Sequence, residues 1–284
     1  MIVVTGATGK LGRLVVLGLL QKLPAGQIAV AVRSPDKAAY LKARGVQVRQ
    51  ADYGKPESLD TAFAGATRVL LISSNEVGQR AVQHQAVVRA AKKAGVALLA
   101  YTSVLRAETS GLGLAAEHKA TEHAIRDAKL NFVFLRNGWY IENYTENLGS
   151  ALAQGKIFGA AGEGRIAAAT RADFAAAAVT VLSAAGHENK IYELSGDASF
   201  TMADLAAEVA RQSGKSVTYS NLPPEQYKKA LLGAGVPAPF ADLLVDSDQG
   251  IARGELNGTS GDLHRLIGRP TTPLADAIAA ALKR

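Results

Sequence analysis

The residues with the clearest chemical meaning are three glycines near the start of the chain, in Thr5-Gly6-Ala7-Thr8-Gly9-Lys10-Leu11-Gly12. They follow a short apolar run and open a stretch of helical periodicity. In such a strand–turn–helix unit, Gly6 permits the tight turn, Gly9 lets the backbone approach a pyrophosphate, and Gly12 lets helix and strand pack closely. The amide groups at the helix N-terminus then face the phosphates. We therefore predict a dinucleotide site whose phosphate-binding turn consists of Gly6, Ala7, Thr8, Gly9, Lys10, Leu11 and Gly12.

Two other interpretations fit a glycine-rich turn of this kind. A P-loop is disfavoured, because Leu11 follows Gly9-Lys10 where that motif requires serine or threonine. A structural turn without a ligand is the remaining alternative.

The choice of cofactor depends on Arg33, which stands 21 residues after Gly12 at the end of the predicted second strand. Sites for NAD place an acidic residue there to bind the ribose 2′-hydroxyl, whereas a guanidinium favours a 2′-phosphate. The sequence thus predicts NADPH as the cofactor, and a merely solvated Arg33 is the alternative.

Small polar and aromatic residues follow other predicted strands. In a parallel sheet the carboxyl ends of the strands line the ligand crevice. We therefore predict cofactor contacts from Ser73, Ser74 and Asn75 after the fourth strand, and from Asn137, Gly138, Trp139 and Tyr140 after the sixth. The first group is alternatively a polar turn, and Asn137-Gly138 a hairpin turn. Trp139 fits a pocket wall or the core equally well, and Asp52 fits an adenine contact or a turn cap.

Several catalytic patterns are absent. No tyrosine is followed four residues later by lysine, the pair that serves proton transfer in alcohol-oxidising short-chain dehydrogenases. At the corresponding place His118 and Glu122 share a helix face, which we interpret as a surface pair in preference to an acid/base dyad. The chain has no cysteine, no third ligand spaced for a metal and no G-x-S-x-G elbow. We predict no metal site, and no catalytic side chain is assigned.

Predicted strands and helices, which must position these residues, alternate regularly along the chain. Apolar runs predict strands at 2–5, 27–33, 46–50, 68–73, 97–103 and 131–136, and amphipathic stretches predict helices at 10–23, 35–44, 56–64, 80–94 and 114–129. Such alternation predicts an α/β fold, a Rossmann-type doubly wound parallel sheet. Farther on we predict a glycine-rich loop at 159–164, helices at 172–184, 205–212 and 274–282, and a strand at 190–194. The predicted domains are a Rossmann domain, 1–150, and a smaller, mainly helical C-terminal lobe, 151–284, that returns elements to the first.

Composition narrows the class of protein. Of 284 residues, 48% are hydrophobic and 20% charged, enough for a large core. The net charge of +7 suits a polyanionic partner, but the basic residues are scattered, so we predict no nucleic-acid binding. No leader and no apolar run of membrane-spanning length is evident, so we expect a cytoplasmic protein without membrane contact.

Several of these segments resemble the NmrA-like group of atypical short-chain dehydrogenases. The general motifs are the glycine turn, Val32-Arg33, Ala51-Asp52-Tyr53 and Leu71-Ile72-Ser73-Ser74. Others resemble the bacterial type 2 quinone oxidoreductases of that group: Asn75-Glu76-Val77-Gly78-Gln79-Arg80, Ala100-Tyr101-Thr102-Ser103, Leu135-Arg136-Asn137-Gly138-Trp139-Tyr140, Gly159-Ala160-Ala161-Gly162, Ala169-Thr170-Arg171-Ala172-Asp173 and Leu266-Ile267-Gly268. The resemblance covers essentially the whole chain.

This resemblance implies a reductase that transfers a hydride from NADPH to a quinone, with Trp139 and Tyr140 beside the substrate. It also accounts for the missing Tyr/Lys pair, which the group lacks. Triarylmethane dye reductases share the scaffold, and some members sense the NADP redox state without catalysis, so both remain alternatives. We expect a monomer or a homodimer.

Overall fold

The computed structural model describes residues 1–258 and 260–283. Its strands are β1 (Ile2–Thr5), β2 (Ile28–Val32), β3 (Gln47–Gln50), β4 (Arg68–Leu71), β5 (Leu98–Val104), β6 (Phe132–Asn137), β7 (Lys156–Gly159), β8 (Arg165–Ile166), β9 (Lys190–Leu194), β10 (Phe200–Thr201) and β11 (Thr218–Asn221). Seven of them form one parallel sheet in the order β3-β2-β1-β4-β5-β6-β9. This is the predicted Rossmann-type α/β fold.

The helices are α1 (Lys10–Leu19), α2 (Ala39–Lys42), α3 (Pro56–Ala62), α4 (Arg80–Lys93), α5 (Ala115–Asp127), α6 (Glu142–Thr145), α7 (Leu148–Gln154), α8 (Arg171–Ser183), α9 (Met202–Ser213), α10 (Pro224–Gly233), α11 (Ala238–Ala252), α12 (Asp262–Ile267) and α13 (Leu274–Leu282). Short 3₁₀ turns occupy Ala25–Gln27 and Pro35–Ala38.

Both faces of the large sheet are covered by helices. Apolar side chains of α1 and α8, among them Val15 and Phe174, form one core with the sheet. On the opposite face α3, α4 and α5 contribute side chains such as Leu59, Val87 and Ile125 to a second core. Because strands buried on both faces need apolar side chains at nearly every position, the almost continuous apolar sequences of β1, β2 and β4 follow directly from this layering.

A third core lies in the C-terminal half of the chain. It joins side chains of α9, α11 and α13, including Leu205, Ile251 and Ile278. Two small sheets flank it, a parallel pair of β7 with β11 and an antiparallel pair of β8 with β10. The chain also returns to the first half: β9 extends the large sheet beside β6, and α8 packs on α1.

The predicted elements are present, with local corrections. The helix predicted at 35–44 is a 3₁₀ turn followed by the short α2, and the one predicted at 10–23 ends as α1 at Leu19. Helix α9 begins earlier than predicted, at Met202, behind a capping box of Thr201 and Asp204. Strands β7, β8, β10 and β11 were not predicted, because runs of two to four residues carry too little alternation to be recognised. Among the described residues, no helix is both long and apolar enough to cross a membrane.

Candidate functional site

The glycine turn joins β1 to α1 with the geometry expected for phosphate binding. Gly6 has a positive φ of 59°, and its carbonyl accepts a hydrogen bond from the Gly9 amide at 2.9 Å. A Cβ on Gly12 would lie 2.4 Å from the Gly6 oxygen, so only glycine fits there. Gly9 caps α1 without any side-chain hydrogen bond. The first amides of this helix are thus free of a side-chain cap, and their partial positive charge suits an anion.

The turn opens onto a cleft of about 630 Å³ at the carboxyl ends of β1, β2 and β4. Seven of the predicted cofactor residues line it: Gly6, Thr8, Gly9, Arg33, Ser73, Ser74 and Asn75. Ala7 and Leu11 are buried in the core behind the turn, so only their backbone can face a ligand. The Lys10 side chain is directed elsewhere and pairs with Glu146 at 2.5 Å.

Sequence reasoning missed other lining residues, among them Ser34, Lys37, Tyr53, Glu76 and Gln83. Lys37 adds a second cation to the Arg33 end of the cleft. Its position four residues after Arg33, just beyond the end of β2, could have identified Lys37 as a cleft residue from the sequence. Two cations at one end of a cleft suit a phosphate better than a hydroxyl.

An acidic side chain faces Arg33 across this cleft. Glu76 Oε1 lies 2.7 Å from Arg33 Nη1, and its other oxygen accepts a hydrogen bond from Gln83 at 2.7 Å. Both charged side chains are largely exposed, 62% for Arg33 and 43% for Glu76. An ion pair this exposed stabilises the protein by less than about 1 kcal/mol, so a ligand phosphate can replace the carboxylate at little cost.

Asp52 fills one of the two roles that the sequence left open. Its Oδ1 accepts a hydrogen bond from the Gly54 amide at 3.0 Å, which stabilises the turn before α3. The residue also lines the cleft beside Tyr53. The turn cap is therefore present, and an adenine contact stays a prediction.

Asn137, Gly138, Trp139 and Tyr140 lie at the end of β6, outside the cleft lined by the glycine turn. The Gly138 amide donates to Leu194 O at 2.7 Å, and a Cβ there would lie 3.0 Å from the same oxygen. The hairpin alternative for Asn137-Gly138 is wrong, because the chain continues into α6 and not into a returning strand.

Two buried polar atoms near this strand end, Asn137 Oδ1 and Ser195 Oγ, have no hydrogen-bond partner among the described residues. Unpaired buried polar groups are costly, and they commonly mark a place where a ligand or a water supplies the partner. Ser195, directly after β9, was not recognised in the sequence. A polar carboxamide such as that of nicotinamide has donors and acceptors suited to both atoms.

The aromatic pair after Gly138 faces two different environments. Tyr140 packs edge-on against Phe174, with Arg171 5.0 Å above its ring, and burial raises the pKa of its hydroxyl. Trp139 is half-buried against the third core of the C-terminal half. This segment therefore joins the Rossmann sheet to the C-terminal elements. The core interpretation of Trp139 is confirmed, and its role as a pocket wall stays a prediction.

The interpretation of His118 and Glu122 as a surface pair is wrong. Both residues are buried between the sheet and α5, with exposed fractions of 5% and 0%. His118 Nδ1 hydrogen-bonds the Tyr101 hydroxyl at 2.7 Å, whereas Glu122 accepts from Arg136 Nη2 at 2.6 Å. Burial lowers the pKa of His118 well below its usual value. Each side chain thus has its own structural partner, and among the described residues no cluster suited to hold a metal ion is found.

Comparison with known proteins agrees with this geometry. The NmrA-like family model matches residues 1–253. Quinone oxidoreductase 2 of Escherichia coli K12 is 53% identical over 279 residues, 98% of each chain. A crystal structure of the Escherichia coli NADPH-dependent quinone oxidoreductase complexed with NADPH superposes with a TM-score of 0.97 at 52% identity, covering 99% of this chain and 100% of that one.

Another solved structure is similar over its full length. Triphenylmethane reductase of a Citrobacter species, complexed with NADP(H), superposes with a TM-score of 0.96 at 43% identity, covering 99% of this chain and 100% of that one. A family match over most of the chain, together with these identities, leads to one conclusion: the chain belongs to the NmrA-like family.

Proposed function

We propose that this protein is an NADPH-dependent oxidoreductase that reduces quinones to hydroquinones. The observation that carries the proposal is the 53% identity to Escherichia coli quinone oxidoreductase 2, which extends over 98% of both chains. The identity thus spans the cofactor cleft and the C-terminal elements around Trp139. The cleft itself supports the cofactor, since it combines an uncapped helix N-terminus with Arg33 and Lys37.

The residues present fit the cofactor in four parts. The turn residues Gly6, Thr8 and Gly9 would hold the pyrophosphate through backbone amides. Arg33 and Lys37 would hold the 2′-phosphate, and Ser73, Ser74 and Asn75 would lie against the cofactor between these ends. The unpaired oxygens of Asn137 and Ser195 supply polar partners for the nicotinamide end.

When bound, NADPH supplies the hydride, and the protein supplies position and exclusion of water. Trp139 and Tyr140 would orient the quinone ring between the sheet and the C-terminal elements. The overall reaction takes one quinone, NADPH and a proton to a hydroquinone and NADP⁺. Reduction of a ketone builds a strongly basic alkoxide and needs a positioned acid, whereas the hydroquinone anion is a much weaker base. The absence of a Tyr/Lys pair from the sequence is therefore compatible with quinone reduction.

NADPH oxidation with a panel of acceptors tests the proposal. Benzoquinones and naphthoquinones should consume NADPH in equimolar amounts, and simple ketones should not react. The second candidate is reduction of triarylmethane dyes, which the 43% identity to triphenylmethane reductase favours. Turnover with dyes and not with quinones would replace the proposal by that activity. Binding of NADPH without turnover by any acceptor would identify a redox sensor.

The state of assembly and the location in the cell are further parts of the proposal. We expect a monomer or a homodimer in the cytoplasm. Sedimentation equilibrium and cell fractionation measure these two properties directly.

A further inference from the structure

The segment that leaves β4 beneath the cleft is held by side chains. Strand β4 ends at Leu71, yet the next three backbone amides all have partners. Those of Ile72, Ser73 and Ser74 donate to Thr5 Oγ1 at 3.0 Å, Thr102 Oγ1 at 2.9 Å and His84 Nε2 at 2.9 Å. Each partner belongs to a different element, β1, β5 or α4. The path of the loop is thus fixed by three side chains that are not among the residues lining the cleft.

His84 is the unusual member of this set, because its acceptor atom depends on its protonation state. The ring is 0% exposed. Its Nδ1 lies 2.9 Å from Thr121 Oγ1, and that hydroxyl donates to Glu117 O at 2.8 Å. Since the hydroxyl proton is used there, Nδ1 must carry the imidazole proton and Nε2 must accept from Ser74. Burial, assisted by the charge of Arg80, lowers the pKa of His84 to about 3, so the ring stays neutral.

The carbonyl oxygen of Ser74 is bound by Arg80, which lies one helical turn before His84 on α4. Arg80 Nε donates to Ser74 O at 2.7 Å, and the guanidinium, 7% exposed as a residue, also lies 3.5 Å from Glu117. Arg80 and His84 are four residues apart, so they project from the same face of α4. Two side chains of α4 therefore bind the backbone of Ser74, His84 at the amide and Arg80 at the carbonyl.

We infer that His84 is a positioning residue for the cofactor: its neutral Nε2, together with Arg80, fixes the backbone of Ser74 and so preorganises the loop Ser73-Ser74-Asn75. This inference rests on the proposed function, which places that loop against NADPH. A loop fixed before binding loses less entropy when the cofactor docks, so the effect should appear in cofactor affinity and much less in hydride transfer.

Three substitutions of His84, which keep or remove the hydrogen bond from the Ser74 amide, test the inference. In His84→Gln the side-chain Oε1 can take the place of Nε2 and accept from Ser74, whereas in His84→Asn the shorter amide reaches only towards Thr121. His84→Leu removes both bonds. We expect His84→Leu and His84→Asn to raise the KM and Kd for NADPH about tenfold, as loss of one buried hydrogen bond would. His84→Gln should remain within about twofold of the wild type, and kcat at saturating NADPH should change little in all three.

His118→Leu is the matched control. His118 is equally buried, its substitution also strands a polar partner, Tyr101, and it makes no contact with Ser74. It should lower the melting temperature as His84→Leu does and leave the KM for NADPH unchanged. Hydrogen exchange in the cofactor-free protein adds a readout without turnover: the peptide spanning residues 72–76 should exchange faster in His84→Leu and His84→Asn, and not in His118→Leu.

Any of three results would overturn the inference. The first is an equal rise in the KM for NADPH in His118→Leu and His84→Leu. The second is a folded His84→Gln that binds NADPH as weakly as His84→Asn. The third is unchanged loop exchange in both His84→Leu and His84→Asn. Failure of the wild-type protein to bind NADPH would instead refute the proposed function, and the exchange measurement would still report whether His84 holds the loop.

Discussion

The two ends of the proposed site are built in different ways. At the cofactor end, the turn at Gly6 and Gly9 and the cation Arg33 come from the first 33 residues, and all three residues line the cleft. At the acceptor end, Trp139 and Tyr140 acquire their surroundings from distant parts of the chain, such as Phe174 and the third core. The phosphate-binding turn of the first end depends on backbone geometry within one strand–turn–helix unit. The second depends on how the two halves of the chain pack.

This difference predicts that single substitutions will separate the two ends. Changes at the cofactor end should alter NADPH binding and spare acceptor selection, and changes at the acceptor end should do the reverse.

The largest effect is expected for Gly9→Val. The φ of −77° and ψ of 167° at this position are accessible to valine, but a Cβ there would lie 3.2 Å from the Gly6 oxygen, so circular dichroism first checks that the variant folds. A branched side chain at the helix N-terminus would occupy the place of the pyrophosphate, and NADPH should bind more weakly by about 100-fold or more. Fluorescence titration measures the affinity. Gly26→Val, at an exposed glycine without neighbours within 4 Å, is the control and should bind normally. Intact binding in Gly9→Val would show that the turn does not hold the phosphates.

Arg33→Ala should have the next largest effect. Loss of a charge-assisted bond to the 2′-phosphate should weaken NADPH binding by about 10- to 150-fold and leave NADH binding nearly unchanged. Because Arg33 is largely exposed, we expect a value near the lower limit. The ratio of kcat/KM for the two cofactors provides the measurement. An equal loss for NADPH and NADH would show that Arg33 is structural.

Trp139→Ala probes the acceptor end. Removal of the indole should raise the KM for a quinone by about tenfold, through lost apolar contact, and leave the KM for NADPH unchanged. Steady-state kinetics with each substrate varied in turn separate the two constants.

Tyr140→Phe, which keeps the ring and removes only the hydroxyl, should retain most of kcat. A loss of about three orders of magnitude in Tyr140→Phe would identify its hydroxyl as a proton donor and contradict our account of the reaction.

The smallest effect is expected for Glu76→Gln. Removal of the carboxylate frees Arg33 and removes a negative charge beside the 2′-phosphate. We expect NADPH to bind about threefold more tightly at low salt, with no change for NADH and a smaller gain at high salt. Titration of both cofactors at two ionic strengths measures this. Equal tightening of NADPH and NADH would show that Glu76 acts on the loop and not on the phosphate.

Much of the fold and of the cofactor end could be predicted from the sequence. The apolar runs of β1, β2 and β4, the spacing of Gly6, Gly9 and Gly12, and the position of Arg33 after a strand all depend on residues close together in the chain. Parallel strands then bring their carboxyl ends to one edge without further information. Short-range patterns were therefore sufficient to place seven of the predicted residues in one cleft.

Burial of the polar helix faces was decided by the tertiary structure. Sequence rules place histidine, arginine and glutamate on helix surfaces because an isolated buried charge is costly. In α4 and α5 the partners that remove this cost lie elsewhere in the chain: Ser74 for His84 and Arg80, and Arg136 for Glu122. Helical periodicity shows that His118 and Glu122 share a face, but it does not show what that face meets. The sequence by itself determined the sheet and the phosphate turn. Only the packing of α4 and α5 against the sheet decided that these charged and polar side chains became buried, because their partners come from other elements.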